Sequence, residues 1–140
     1  MKRRRRTKIL IQEDSDLARD FAEAILERYE CREIVAPQHG LTMIKMRESA
    51  KNSLFYIGEV LVTEVKVEIQ HCVGIGIIVG MKEERARDMA IIDAAYKANL
   101  PETEAWETRL MEAEQRIIEK QVKQQANLFE TKVNFETMDV

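Results

Sequence analysis

Three residues able to do chemistry stand where the surrounding pattern places them in or beside a packed core: Glu59, Thr63 and Asp93. Glu59 follows Gly58 in an apolar strand context, and Thr63 falls on the inward face four residues on. Asp93 lies next to a ridge of small residues centred on Ala90. A carboxylate at such a place needs a hydrogen-bond partner to offset burial. Each is therefore read either as a satisfied structural group or as a contact for a partner or substrate. His39 and His71 sit at predicted turns, where imidazoles are usually just solvated, and there is no HxxxH, HxH or cysteine cluster. No metal or cofactor is expected. Gly74 to Gly80 has a GxGxxxG spacing, one residue longer than the dinucleotide fingerprint, and it lies inside a strand pattern. Its glycines read as a place where a helix or another chain comes close. Ser15, Ser49 and Ser53 fit caps or loops, and no nucleophile elbow is present.

The elements that must position these residues centre on Phe55 to Ala98. Leu61, Thr63, Val65, Val67 and Ile69 alternate with Glu64, Lys66, Glu68 and Gln70, which is the period of a half-buried strand. Val73, Ile75, Ile77 and Val79 alternate with Gly74, Gly76, Ile78 and Gly80. The short break at Gln70-His71-Cys72 predicts an antiparallel hairpin. A helix follows, with Ala86, Ala90, Ala94 and Ala98 as a ridge of small side chains that lets its axis approach a neighbour closely.

Upstream, Leu17, Phe21, Ala24, Ile25 and Leu26 predict an amphipathic helix from Asp16 to Tyr29, with Ser15 as its N-cap. Glu33 to Ala36 and Leu41 to Met46 read as two strands separated by a turn at Pro37-Gln38-His39-Gly40. The expected fold is α+β: a four-stranded antiparallel meander packed by helices. Downstream, Pro101 followed by Glu102, Thr103 and Glu104 opens a last helix reaching to Asn127. Trp106, Leu110, Ala113 and Ile117 give it a narrow apolar stripe, and Lys132 to Phe135 alternate like a short extended tail. Trp106 and Phe135 are accordingly the candidate partner contacts of a C-terminal helical arm and tail, residues 102–140. The bland alternative is a helix folded back on the sheet.

At 140 residues, one domain spanning 1–140 is expected. Hydrophobic residues are 45% and charged residues 34%, an ordinary soluble balance, with no apolar run long enough to span a bilayer. The basic start is not followed by an apolar core and cleavage site, so no secretory leader is expected. Cys31 and Cys72 are read as reduced thiols of a cytoplasmic protein. Lys2 to Arg6 carry +5 of a net charge of −3, so the rest carries −3 − 5 = −8. Residues 1–6 are expected to be a disordered basic tip. A nucleic-acid-binding module using Arg3 to Arg6 is the alternative function, disfavoured because no aromatic residue interleaves the run.

Gly58-Glu59-Val60-Leu61-Val62-Thr63, then a Gly-rich strand ending at Gly80, then Ala90-Ile91-Ile92-Asp93-Ala94, resembles the PhnG family. Gly40 to Met43 and Lys132 to Met138 extend the resemblance over nearly the whole chain. PhnG is a subunit of the bacterial carbon–phosphorus lyase system. The resemblance implies an accessory subunit, not active alone, that works with PhnI-, PhnH- and PhnJ-like partners. Their complex forms alpha-D-ribose 1-methylphosphonate 5-triphosphate from ATP and phosphonate. From its apolar stripe, the arm of the isolated chain is expected either to self-associate or to fold back until a partner releases it. The chain departs from the family pattern at Glu64, where the family often has arginine, and at Gly80-Met81-Lys82, where Gly-Arg is usual. It also has no glycine in Glu48 to Ser53. These departures count against direct substrate binding more than against assembly.

Overall fold

The computed structural model describes residues 1–13, 15–47, 50 and 52–138, with side chains as far as residue 132. Seven elements follow in order: α1 (Arg3–Gln12), α2 (Leu17–Arg28), β1 (Arg32–Arg47), β2 (Leu54–Ile69), β3 (Cys72–Val79), α3 (Glu83–Lys97) and α4 (Glu102–Met138). They form two compact units, Asp16–Glu104 and Met1–Ser15 with Ala105–Val140.

In the first of these units the sheet is antiparallel with order β1-β2-β3. The expected hairpin is present, with Val67 opposite Gly74 and Val65 opposite Gly76. Its turn holds Gln70 and His71 at φ 48° and 66°, the left-handed pair that a tight two-residue connection requires. Thr63, Val65, Val67 and Ile69 are buried, and α3 packs across all three strands on that face. A second layer forms where α2 packs on α3 and buries Leu17, Phe21 and Ile25. Because α3 lies between sheet and helix, it is apolar nearly all round: Ala86, Met89, Ala90, Ile91, Ile92, Ala94 and Ala95 are all buried.

The close approach expected at the glycines is there. A Cβ built on Gly74 would fall inside the backbone of Ala90 and Ala94, and one on Gly76 would stand 2.7 Å from Ala90 N. Those neighbours are backbone atoms that cannot swing aside. The alanine ridge of α3 therefore sits directly on a glycine trough in β3.

The expectation of four strands is overturned. Glu33–Ala36 and Leu41–Met46 belong to one continuous sixteen-residue strand, β1. Pro37 does not make a turn. The register shifts between Val35 and Gln38, which places Pro37 in a bulge. β1 is an edge strand, where a residue without an N–H does not break the ladder. The strand-like tail is corrected as well: the backbone of α4 stays helical to Met138, about 56 Å in all. The side chains of Val133 and Phe135 lie outside the described residues, as do Ser49 and Glu48 in the β1–β2 connection. Arg3–Gln12 form a helix that buries Arg6, Ile9 and Leu10, where a disordered tip was expected.

Placing a methyl group in the trough discriminates this packing from a looser one. Gly74→Ala should cost about 3 kcal/mol or more, since backbone must shift. Gly58→Ala, with nothing within 4 Å of its Cβ position, should change stability by under about 0.5 kcal/mol. Urea titrations of the two variants would measure the difference, and equal midpoints would rule the trough out.

Candidate functional site

The sequence-predicted residues fall in separate places. Thr63 is fully buried and forms the centre of a small polar network. Its hydroxyl donates to Gly80 O at 2.6 Å and accepts from Lys82 N at 3.2 Å. His39 Nδ1 stands 3.1 Å from the same oxygen, and Nε2 stands 3.2 Å from Glu83 Oε1. The network ties β1, β2, the end of β3 and the start of α3 together, where Gly80 takes φ +94° to turn the chain. Proton bookkeeping limits it. The Thr63 proton goes to Gly80 O, so Nδ1 must carry the hydrogen it shares with Oγ1. The Glu83 contact then calls for a second hydrogen on Nε2. A doubly protonated ring satisfies every contact, while a neutral ring gives up the more exposed one to Glu83.

Hydroxyl, imidazole and carboxylate in line have the order of an activated nucleophile. Here the hydroxyl is inaccessible and already fully engaged, so the group holds the fold rather than attacking a substrate. The sequence reading missed His39 because it placed the residue in a turn. In β1 it lies directly opposite Thr63.

Asp93 is 4% exposed and accepts from Ile75 N at 3.0 Å, with Lys97 Nζ at 3.1 Å. Lys97 Nζ also donates to Val73 O at 2.9 Å. The burial expected for Asp93 is thus matched by partners. Glu59 lies opposite Met43 on the part of the β1–β2 ribbon that β3 does not reach, and it is exposed. Trp106 is buried together with Leu110 and Ala113, so the stripe expected to lie uncovered is covered at its start. Within the arginine run Arg5 is engaged, with two bonds of 2.8 and 2.6 Å to Glu114. That pairing raises the guanidinium's already high pKa and lowers that of Glu114.

Asp88, which the sequence reading passed over, is the strongly perturbed carboxylate. It is buried on α3, with Arg19 Nη1 of α2 at 3.9 Å. Burial pushes its pKa up to about 6, Arg19 and Arg87 pull it down, and Glu84 and Glu23 push it further up. Among the described residues no three histidine, cysteine or acidic side chains are grouped to hold a metal ion.

What surrounds these groups is more distinctive than the groups themselves. In the antiparallel ladder Gly80 N donates to Leu61 O. The even-numbered residues of β3 therefore bond to β2, and Val73, Ile75, Ile77 and Val79 aim their N–H and C=O groups off the sheet edge. Their side chains form an apolar row on the sheet face opposite α3, with Ile77 and Val79 53% and 60% exposed. Beyond β3 the ribbon is open on both faces: Leu41, Met43, Met46, Leu54, Phe55, Tyr56 and Ile57 are all exposed. A two-stranded ribbon this apolar is marginal in water without cover.

Removing the Thr63 hydroxyl should leave Gly80 O and Lys82 N short of a partner. Thr63→Val should cost about 1–3 kcal/mol, whereas Thr63→Ser should retain most of the stability. Thermal denaturation of both would check this, and an unaffected Val variant would remove the network from the account.

The Asp88 pKa lies above its unfolded value, so the folded state binds the proton more tightly. Stability is full below about pH 4 for this group and falls as pH rises towards about 6, by at most about 3 kcal/mol. Asp88→Asn should flatten that fall in urea midpoints taken across the window. A wild-type slope that survives the substitution would assign it to other groups.

No curated protein matches the chain significantly. One family model does, described as "Phosphonate metabolism protein PhnG", and it matches residues 1–139. Among the described residues no helix is long and apolar enough to cross a membrane. With the Gly58–Thr63 strand, the glycine trough and the alanine ridge all within the matched span, the chain belongs to the PhnG family of phosphonate metabolism proteins.

Proposed function

We propose that this protein is a non-catalytic subunit of a carbon–phosphorus lyase core complex. In that role it supports formation of alpha-D-ribose 1-methylphosphonate 5-triphosphate from ATP and phosphonate by ordering PhnI-, PhnH- and PhnJ-like partners. The observation that carries the reading is the apolar β1–β2 ribbon, with Leu41, Leu54 and Tyr56 at 68%, 59% and 53% exposed. An uncovered surface of this kind is stabilised when a second protein buries it. Thr63 and Asp93 are engaged in the fold, which supports binding rather than chemistry as this chain's contribution. The exposure of Glu59 on the same ribbon supports it as a partner contact.

Co-expression with the PhnI-like partner tests this. The full chain should co-purify with it, and the isolated chain should not turn over ATP with a phosphonate. Replacing Leu54 and Tyr56 by alanine should weaken capture by about 2 kcal/mol or more, since large side chains at an interface centre carry much of the binding energy. Turnover by the purified chain alone, or capture untouched by the double substitution, would overturn the reading.

A further inference from the structure

The unit formed by α1 and the bulk of α4 holds a groove of about 490 Å³. Ile9, Ile117 and Ile118 form its apolar floor, and Lys2, Arg4, Arg5 and Lys8 stand round it with Glu114. The groove's charge is +4 − 1 = +3. Glu114 is already bound to Arg5, while Lys2, Arg4 and Lys8 make no ion pair among the described residues.

An apolar stripe continues from the groove along α4. Met111, Ile118, Val122 and Phe129 are spaced by seven, four and seven residues. At about 100° per residue they project within about 40° of one another. All four are exposed, at 52%, 45%, 60% and 68%. This is the seam of a helix that packs lengthwise on another helix.

We propose that the α1–α4 groove and the stripe running from it are a docking site for an acid-flanked amphipathic helix of a partner protein. The apolar face of that helix covers Ile118, Val122 and Phe129, and its carboxylates meet Lys2, Arg4 and Lys8. A second copy fits less well. Antiparallel pairing of two α4 helices sets each basic rim against residues 119–132, which carry Glu119, Lys120, Lys123, Glu130 and Lys132, or +3 − 2 = +1. Like charges then meet. A nucleic acid would set its phosphates against the apolar floor.

The test uses the full chain and a dye-labelled designed helix of about 18 residues. The peptide has leucines at i, i+3, i+4 and i+7 and glutamates on both flanks. Anisotropy should report saturable binding that weakens on raising salt from about 50 to about 300 mM. A scrambled peptide of the same composition should bind at least about tenfold more weakly, as should K2E/R4E/K8E for the charge and I118A/V122A for the seam. Arg4→Lys should bind like the original chain, and circular dichroism should be unchanged in every variant. Equal binding of the scrambled peptide, or loss of binding in neither multiple variant, would overturn the proposal. Binding of a duplex oligonucleotide or of phosphatidylglycerol vesicles in place of the peptide would do the same, and so would a concentration-dependent dimer that the seam substitutions dissolve. None of these outcomes bears on capture of the phosphonate-pathway partner by the β-ribbon, so the two readings stand or fall separately.

Discussion

The fold of the central unit depends on the contact between the alanine ridge of α3 and the glycine trough of β3. Gly74 and Gly76 let helix backbone come nearer to strand backbone than any side chain would allow. At that distance the flanking residues Ile91 and Ile92 become fully buried, and α2 can close over the other side of α3. A single α3 thus serves as the core of both layers. Its two buried carboxylates follow from the same placement, because the middle of α3, Asp88 to Ala95, is buried throughout. Asp93 is satisfied by Ile75 N–H and Lys97. Asp88 has Arg19 at 3.9 Å, with Arg87 also lowering its pKa, and stays partly uncompensated.

Much of this arrangement was legible in the sequence, for reasons that can be named. Period-two alternation over Leu61 to Ile69 is long enough to fix a face, and the four-residue spacing of alanines has few meanings other than close packing. The break in β1 was misread because Pro37 and Gly40 carry strong turn signals, and a sequence does not reveal that its strand lies at an edge where a bulge absorbs a proline. That one error also displaced His39, whose partner Thr63 lies twenty-four residues away and is visible only through the register. α1 was hidden by its arginines. Arginine is a good helix former, and Ile9 and Leu10 supply the buried face that the basic run obscures. Along α4 the sequence offers two apolar stripes, Trp106–Ile117 and Met111–Phe129, and nothing in the residues themselves says which one is covered.

Polar groups and exposed apolar surface are segregated in this chain. The polar groups near the core close hydrogen bonds within the chain. Much of the exposed apolar area lies on the ribbon beyond β3, on the outer sheet face and along α4. Such a distribution separates the residues that make the chain fold from those that face outward, so substitutions on the ribbon can change without disturbing the trough.

The capping of β3 by Asp93 and Lys97 has a consequence for growth of the sheet. Ile75 N–H and Val73 C=O are already occupied by side chains of α3. A strand arriving at that edge finds its first half closed and can ladder only alongside Ile77 and Val79. Two residues give too short a register to template the long in-line stacking on which fibrils depend. A strand with a glycine-rich, uncharged, apolar composition is thereby kept from becoming an aggregation seed by a carboxylate and an ammonium group four residues apart on the helix beside it.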